Sequence, residues 1–273
     1  MPELPEVETM CDYLWPKVFH GKIGKVKVLR GKYLKKGAQI PEIEGQQVRA
    51  ISRRGKFLCF SLEHGVLICH NAMSGFWDTS EEPWTFDYVE GKRTSKDSDV
   101  RVTMEMTDQN GKAWTVRFHD SRLFGSLEYF PGSMFGFDVQ KLKSLGPDAI
   151  ATAHSMYEQE WCILDVCMFN PKHEIKHALM DQSAVAGFGN IYATETCHMA
   201  LIDPFKLCKD MNTDQWQRIF ETGQGVLRMA VERKVDYSDL WCYRKSVCKI
   251  CMGPILKKDL RGRSTYFCPA CQK

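Results

Sequence analysis

Two pairs of cysteines close the chain, Cys248-x2-Cys251 and Cys268-x2-Cys271, with sixteen residues between them. Each pair puts two thiolates on one tight knuckle, and four thiolates at this spacing suit a single tetrahedral Zn2+. Four sulfur ligands leave no open coordination position, so such an ion builds a fold and performs no chemistry. The spacing predicts one structural Zn2+ per chain, held by Cys248, Cys251, Cys268 and Cys271 in a small module over residues 241–273; four unrelated reduced thiols are the alternative. The other eight cysteines (Cys11, Cys59, Cys69, Cys162, Cys167, Cys197, Cys208 and Cys242) have no ligand spacing and read as small core or surface residues.

The same module is strongly basic. Residues 241–273 carry eight Lys and Arg against one acid, Asp259, for a net +7, whereas the rest of the chain holds 29 basic and 33 acidic residues, a net −4. The overall +3 hides this asymmetry, and a polyanion is the partner it points to. Lys257, Lys258, Arg261 and Arg263 lie between the cysteine pairs, where a rigid hairpin could aim them at phosphates; a merely solvated basic hairpin is the plainer reading.

The 273 residues suffice for about two domains, and 44% hydrophobic with 26% charged residues excludes disordered, fibrous and collagen-like classes. Apolar runs such as 57–60 and 66–69 fall far short of the ~18 residues a membrane span needs, and the N-terminus lacks a secretory pattern, so an intracellular protein with reduced cysteines and no membrane association is expected. Val7, Met10, Cys11, Leu14 and Val18 recur at helical spacing from about residue 4, and Pro16 should bend or end that helix. Strands are expected at 23–29, 48–52, 56–62, 66–70, 100–106 and 114–118, with Asn110-Gly111 as a hairpin turn and 90–99 as an exposed loop. Beyond a hinge at Leu145-Gly146-Pro147-Asp148 the pattern turns helical: one segment around Ile175, Leu179 and Met180, a break at 187–190, a second from Ile191 to before Asp203-Pro204, and a third over 213–235.

Two further features carry chemistry. Removal of Met1 exposes Pro2 as a secondary amine, and an α-amino group titrates near ~8, so a useful fraction is neutral and nucleophilic. Glu3 and Glu6 place carboxylates beside it as candidate proton donors and acceptors, although an acidic helix start looks the same in sequence. The run 182–190, preceded by Lys176, feeds a helix through glycines and leaves backbone N–H groups for an anion; a plain helix-turn-helix packing element is equally compatible.

Read together, Met1-Pro-Glu-Leu-Pro-Glu-Val-Glu8, Arg53-Arg-Gly-Lys-Phe-Leu58, His70-Asn-Ala-Met-Ser-Gly75, Asp120-Ser-Arg-Leu-Phe-Gly125, Leu145-Gly-Pro-Asp148, the 181–193 block and 262–272 resemble the formamidopyrimidine-DNA glycosylase / endonuclease VIII family over nearly the whole chain. The resemblance implies an α+β fold: an N-terminal β-sandwich with a flanking helix (1–132), a linker (133–150), a helical domain with a helix–two-turns–helix motif (151–240) and a four-cysteine zinc finger (241–273). It implies a base-excision-repair glycosylase and abasic-site lyase, acting on damaged DNA through a Schiff base on Pro2; a monomer is the default expectation. Glu3 would be the general acid/base, Lys56 a catalytic phosphate contact and Glu6 a pocket-shaping group. His70, Lys176, Asn190 and Arg263 match phosphate-clamping positions, and Met73, Arg122 and Phe124 match residues that fill the void left by an everted nucleotide.

The chain departs from the family pattern at Leu123, where a second arginine is usual, and at Ser121, where proline is usual. The segment 235–248 is short and lacks the Gly/Ser-rich loop that caps 8-oxoguanine in the guanine-specialised branch. These departures point to oxidised pyrimidines, ring-opened purines and abasic sites. A catalytically silent damaged-DNA-binding protein and an 8-oxoguanine-directed glycosylase are the alternatives; Pro2, Glu3 and Lys56 argue against the silent one.

Overall fold

A computed structural model describes residues 2–30, 42–83, 86–88, 91–93, 96–133, 135–136, 138–156 and 171–273. Cys162 and Cys167 lie outside the described residues. The chain forms two compact units, one of Pro2, Glu6–Lys143 and Thr152–Met156, the other of Glu3–Pro5, Ser144–Ala151 and the described residues from 171 to Lys273.

In the first unit α1 (Leu4–Val18) forms where the apolar period requires it, and Val7, Met10, Cys11, Leu14 and Val18 are all buried. Pro16 lies inside the helix, which stops two residues later, because the ring removes one backbone donor near an end where donors are soon lost anyway. Ten strands follow: β1 (Lys22–Val28), β2 (Val48–Arg54), β3 (Phe57–Leu62), β4 (Gly65–His70), β5 (Phe76–Thr79), β6 (Phe86–Tyr88), β7 (Gly91–Arg93), β8 (Val100–Thr107), β9 (Ala113–His119) and β10 (Ser126–Pro131). They make two antiparallel four-stranded sheets, β1-β8-β9-β5 and β10-β4-β3-β2, and a small β6-β7 hairpin. Val26, Met104, Val116 and Phe118 of one sheet, Leu58, Phe60, Leu67 and Leu127 of the other, and Val7, Met10 and Leu14 of α1 share one core, which is the expected sandwich with its flanking helix.

Three sequence readings of the first unit need correction. The stretch 90–99, expected as loop, contains β7 and a 3-10 turn at Asp97–Asp99; Glu90 itself lies outside the described residues. Strands β5, β6 and β10 are not among those expected, β5 because Asp78 interrupts its apolar character. In the fold that carboxylate accepts two bonds from Arg117 at 2.8 Å and faces His119 Nε2 at 2.8 Å, which keeps it charged and its pKa low despite burial. Lys56 precedes strand β3 and occupies a two-residue turn whose first residue, Gly55, has φ +54, a conformation that favours glycine.

The second unit contains α3 (Ile175–Leu179), α4 (Asn190–Met199), α5 (Thr213–Glu232) and the hairpin β11 (Leu256–Leu260) and β12 (Arg263–Phe267); the one-turn α2 (Gln140–Lys143) belongs to the first. A reciprocal capping box between Asn212 and Gln215 starts α5, and the expected extension to 235 fails because Lys234 and Val235 adopt left-handed φ of 49° and 62°. Leu145-Gly146-Pro147-Asp148 is pinned rather than hinge-like: Gly146 N donates to Gln182 O, Ala186 N to Pro147 O and Ala149 N to Ala186 O, and a Cβ at Gly146 would lie 2.5 Å from the Ala184 carbonyl. Among the described residues no helix is long and apolar enough to cross a membrane.

A buried ion pair ties Thr152–Met156 to α1 and β2. Arg53, with 0% exposure, donates from Nε to Glu8 Oε2 at 2.8 Å and from Nη2 to Thr152 and Ser155 hydroxyls, while Glu8 also accepts from Thr152 Oγ1 and His154 N. Neutralising one partner of such a pair strands the other charge in the core, which costs roughly 3–5 kcal/mol. Glu8→Gln is therefore expected to lower unfolding stability by that amount in urea titrations; a loss under about 1 kcal/mol would contradict this account.

Candidate active site

The carboxylate of Glu3 is seated on the amino end of α4. Its Oε2 accepts from Gly189 N at 2.8 Å and Tyr192 N at 3.2 Å, and its Oε1 accepts from Ile191 N at 2.9 Å. Helix α4 has no side-chain cap of its own, so a carboxylate from 186 residues away in sequence satisfies its free donors and meets the positive end of its dipole. Two glycines make the approach possible. A Cβ at Gly189 would lie 2.3 Å from Glu3 Cδ, and one at Gly187, whose φ is +123, would lie 2.5 Å from Leu4 Cδ1. Gln182 shapes the turn between α3 and α4: its amide donates to Met180 O and Phe188 O and its carbonyl accepts from Gly187 N. The glycine run thus binds an anion at a helix start, and the anion is the protein's own carboxylate.

In the first unit Pro2, Glu6 and Lys56 are all buried, Lys56 at the tip of the β2–β3 turn. His70 ends β4 half-buried, its ring 4.8 Å from that of Phe57, the residue paired with it across the sheet.

Lys176, Asn190 and the β11–β12 hairpin meet in the second unit. The Lys176 ammonium donates to Asn190 Oδ1 at 2.6 Å, Thr265 Oγ1 at 2.7 Å and Ser264 O at 3.5 Å, with only 1% of the residue exposed. Burial, reinforced by the charge of Arg263, lowers its pKa to about 8. Asn190 Nδ2 donates to Ser264 O at 3.1 Å and faces Tyr243 Oη at 3.4 Å. The hairpin turns through Arg261 and Gly262, both at positive φ, which places exposed Arg263 first in β12. Lys176, Arg261 and Arg263 line a concavity of about 300 Å³ together with His177, whose pKa burial lowers, and the acid Asp181.

Met73, Arg122 and Phe124 lie on two neighbouring loops of the first unit. Arg122 Nη1 is 4.0 Å from Met73 Sδ, Phe124 is 65% exposed, and Leu123 between them adopts φ 61°.

The four terminal cysteines form one cluster, all Sγ atoms within 4.8 Å of one another. Cross pairs are 3.9 Å (Cys248–Cys271) and 3.5 Å (Cys251–Cys268), far from a disulfide and close to the about 3.8 Å that ~2.3 Å bonds to a tetrahedral ion impose. His198, buried on α4, lies with Nε2 3.3 Å from Cys248 Sγ, within hydrogen-bonding reach of that sulfur. By contrast Cys11, Cys69 and Cys197 are buried thiols whose pKa burial raises, to about 12 for Cys197, so they are inert core residues.

The family described as Formamidopyrimidine-DNA glycosylase N-terminal domain matches residues 1–127, and that described as Formamidopyrimidine-DNA glycosylase H2TH domain matches residues 145–240. The chain belongs to the formamidopyrimidine-DNA glycosylase family. It is 30% identical to the Formamidopyrimidine-DNA glycosylase of Oceanobacillus iheyensis and 31% identical to that of Listeria innocua, with all of this chain and 98% and 100% of those proteins covered. Among solved structures it resembles the Lactococcus lactis enzyme in complex with DNA containing N7-benzyl-Fapy-dG, with a TM-score of 0.81, 25% identity and both chains fully covered. The Thermus thermophilus protein is similar too, at a TM-score of 0.80 and 26% identity over 99% of this chain and 98% of that one. The expected α+β class and the expected enzyme class, a DNA glycosylase of base-excision repair, follow from that membership.

Sequence reading of this glycosylase missed Thr265, Tyr243, Glu195 and His198. Glu195 accepts from the backbone N–H groups of Trp241, Cys242 and Tyr243 and so presents the Tyr243 hydroxyl to Asn190. Nothing local marks these residues, since each acts through a partner at least 46 residues away. Lys176 yields a pH test. Between about pH 8 and 10.5 an unfolded chain binds a proton at Lys176 that the folded chain has released, so raising the pH across this window favours the folded state, by on the order of 3 kcal/mol in all. Relative to Lys176→Met, the wild type is expected to gain stability as pH rises through that window, measured by paired melts at about pH 7.5 and 10; parallel profiles would contradict a buried ammonium.

Proposed function

We propose that this glycosylase is also an abasic-site lyase, removing oxidised bases from DNA through an imine on Pro2. The observation that carries this reading is the Glu3 seat: a carboxylate held by three backbone donors, one peptide bond from the candidate nucleophile. With Met1 removed, the neutral Pro2 amine attacks C1′ of the damaged nucleotide. The C1′–N bond breaks, the base leaves with the bonding pair and takes up a proton, and the amine gives up its own. The sugar ring then opens: C1′–O4′ breaks toward oxygen, which is protonated, and an iminium joins Pro2 N to C1′. Glu3 donates and recovers protons on that sugar. The cationic imine acidifies the adjacent C2′ proton, and its loss expels one phosphate and then, by a second elimination, the other.

Lys56 neutralises the phosphate beside the lesion, and Glu6 shapes the same pocket. His70, Lys176, Asn190 and Arg263 hold the flanking backbone in register without reading sequence. Met73, Arg122 and Phe124 occupy the gap in the stack. The sulfur spacings fit one Zn2+ on Cys248, Cys251, Cys268 and Cys271, whose role is to fix the basic hairpin.

Substrate choice rests on two departures and one comparison. Leu123 removes a charged contact beside the wedge, and the segment leading to Cys248 is occupied by a 3-10 turn at Tyr237–Asp239 and the Glu195 nest, with no capping loop. The Lactococcus lactis protein was solved with Fapy-dG-containing DNA and with DNA containing an abasic site. This combination favours ring-opened purines, oxidised pyrimidines and abasic sites. Borohydride trapping on oligonucleotides bearing an abasic site, thymine glycol, dihydrouracil, a ring-opened guanine and 8-oxoguanine tests both parts. We expect an adduct that maps to Pro2, with 8-oxoguanine the slowest lesion. No adduct at the abasic site, with Met1 removed and zinc bound, would overturn the mechanism; equal rates on duplex 8-oxoguanine would overturn the preference.

A further inference from the structure

Ser74 and Asp120 are buried polar residues to which the mechanism above gives no task. They lie at the roots of the two loops that carry the wedge residues, and they are bonded to each other: Ser74 Oγ donates to Asp120 Oδ1 at 2.5 Å. The backbone N–H of Arg122 points at both, 3.1 Å from Ser74 Oγ and 3.2 Å from Asp120 Oδ1, and Asp120 Oδ2 accepts from Gly125 N at 2.8 Å. One carboxylate therefore ties the start, middle and end of residues 120–125 to the loop that bears Met73. Its own backbone is fixed as well, since Asp120 N donates to Asp99 O and Arg101 Nε donates to Asp120 O.

The close approach of the two loops has a second, independent sign. A Cβ at Gly75 and a Cβ at Gly125 would each lie 2.9 Å from Phe118 Cζ, so both loops lean on one core ring at positions where only glycine fits. Beyond these roots, residues 121–124 are all exposed.

We propose that Ser74 and Asp120 form a strap that makes the Met73 loop and the Arg122–Phe124 loop one rigid body, so that the wedge enters the duplex as a single piece. Both are positioning residues. The inference rests on the wedge role given above to Met73, Arg122 and Phe124. Insertion must displace stacked bases, and a loop that is already ordered does not lose interaction energy to becoming ordered on contact.

The test compares rates of borohydride trapping at an abasic site in duplex and in single-stranded DNA, where no stack has to be held open. Losing a charge-assisted bond in Ser74→Ala is expected to lower the duplex rate relative to the single-strand rate roughly tenfold. Asp120→Asn keeps the side-chain volume but in either amide orientation puts an amide nitrogen, a donor, where an oxygen accepted, opposite Gly125 N or opposite Ser74 Oγ and Arg122 N, and it is expected to shift the ratio the same way. Added to Met73→Ala, Ser74→Ala should lower the duplex rate little further, because the wedge it steadies is already shortened. Equal losses on both substrates, or fully multiplicative losses in the double variant, would overturn the strap. A duplex defect in Met73→Ala with none in Ser74→Ala would overturn the strap alone, whereas an unimpaired Met73→Ala would overturn the wedge reading beneath it.

Discussion

The carboxylate of Glu3 on the amino end of α4 is the constraint to which the candidate site answers. It forces glycine at 189, where any side chain would strike Glu3, and at 187, where the chain must pass Leu4 at positive φ. It also makes the N-terminus part of the fold: Leu4 N donates to Gly187 O, so the first residues are held by backbone as well as side chain. An N-terminal amine on a frayed tail would be a poor nucleophile, since its orientation would have to be fixed anew at each encounter. Here the adjacent residue is anchored by three donors, and consecutive Cα atoms are only about 3.8 Å apart.

Buried charge serves two different ends. Glu8 and Arg53 neutralise each other and fasten a connecting segment, which is a structural use. Lys176 is different: among its hydrogen-bond acceptors there is no carboxylate, and its pKa falls to about 8 as a result of burial. An apolar side chain would fill that space without the desolvation penalty, so the ammonium is retained for what it organises, namely the Asn190 amide, Thr265 and the strand that begins with Arg263. The four-cysteine cluster lies beside the same hairpin, which is too small to have a core of its own, and the Zn2+ proposed for it would act toward the same end.

Legibility followed the range of the interaction. Helix α1, each Cys-x2-Cys knuckle and the Asn110-Gly111 hairpin depend on neighbours within a few residues and were readable. Even there the turn differed in detail, since Gly111 alone has positive φ and Asp108 Oδ1 closes a five-residue loop by accepting from Asn110 N and Lys112 N. Strand β5 was not readable, because Asp78 looks out of place until Arg117 and His119 arrive from β9. The burial of Lys176 was not readable either, because nothing nearby announces that Thr265, 89 residues on, will cover it. Pro2, Glu3 and Lys56 were legible through family resemblance rather than through pattern, and the physical reason for the glycines around Glu3 came only from the fold.

Gly189→Ala tests the central claim most directly, because it adds one methyl group where it would lie 2.3 Å from Glu3 Cδ and touches neither Pro2 nor the cysteine cluster in sequence. A crystal structure of the variant, paired with its trapping rate at an abasic site, gives the answer. The account predicts a displaced Glu3, one bound zinc as before, and imine formation slowed roughly a hundredfold, the scale expected when a catalytic group moves by about 1 Å. A displaced Glu3 with an unchanged trapping rate would contradict it.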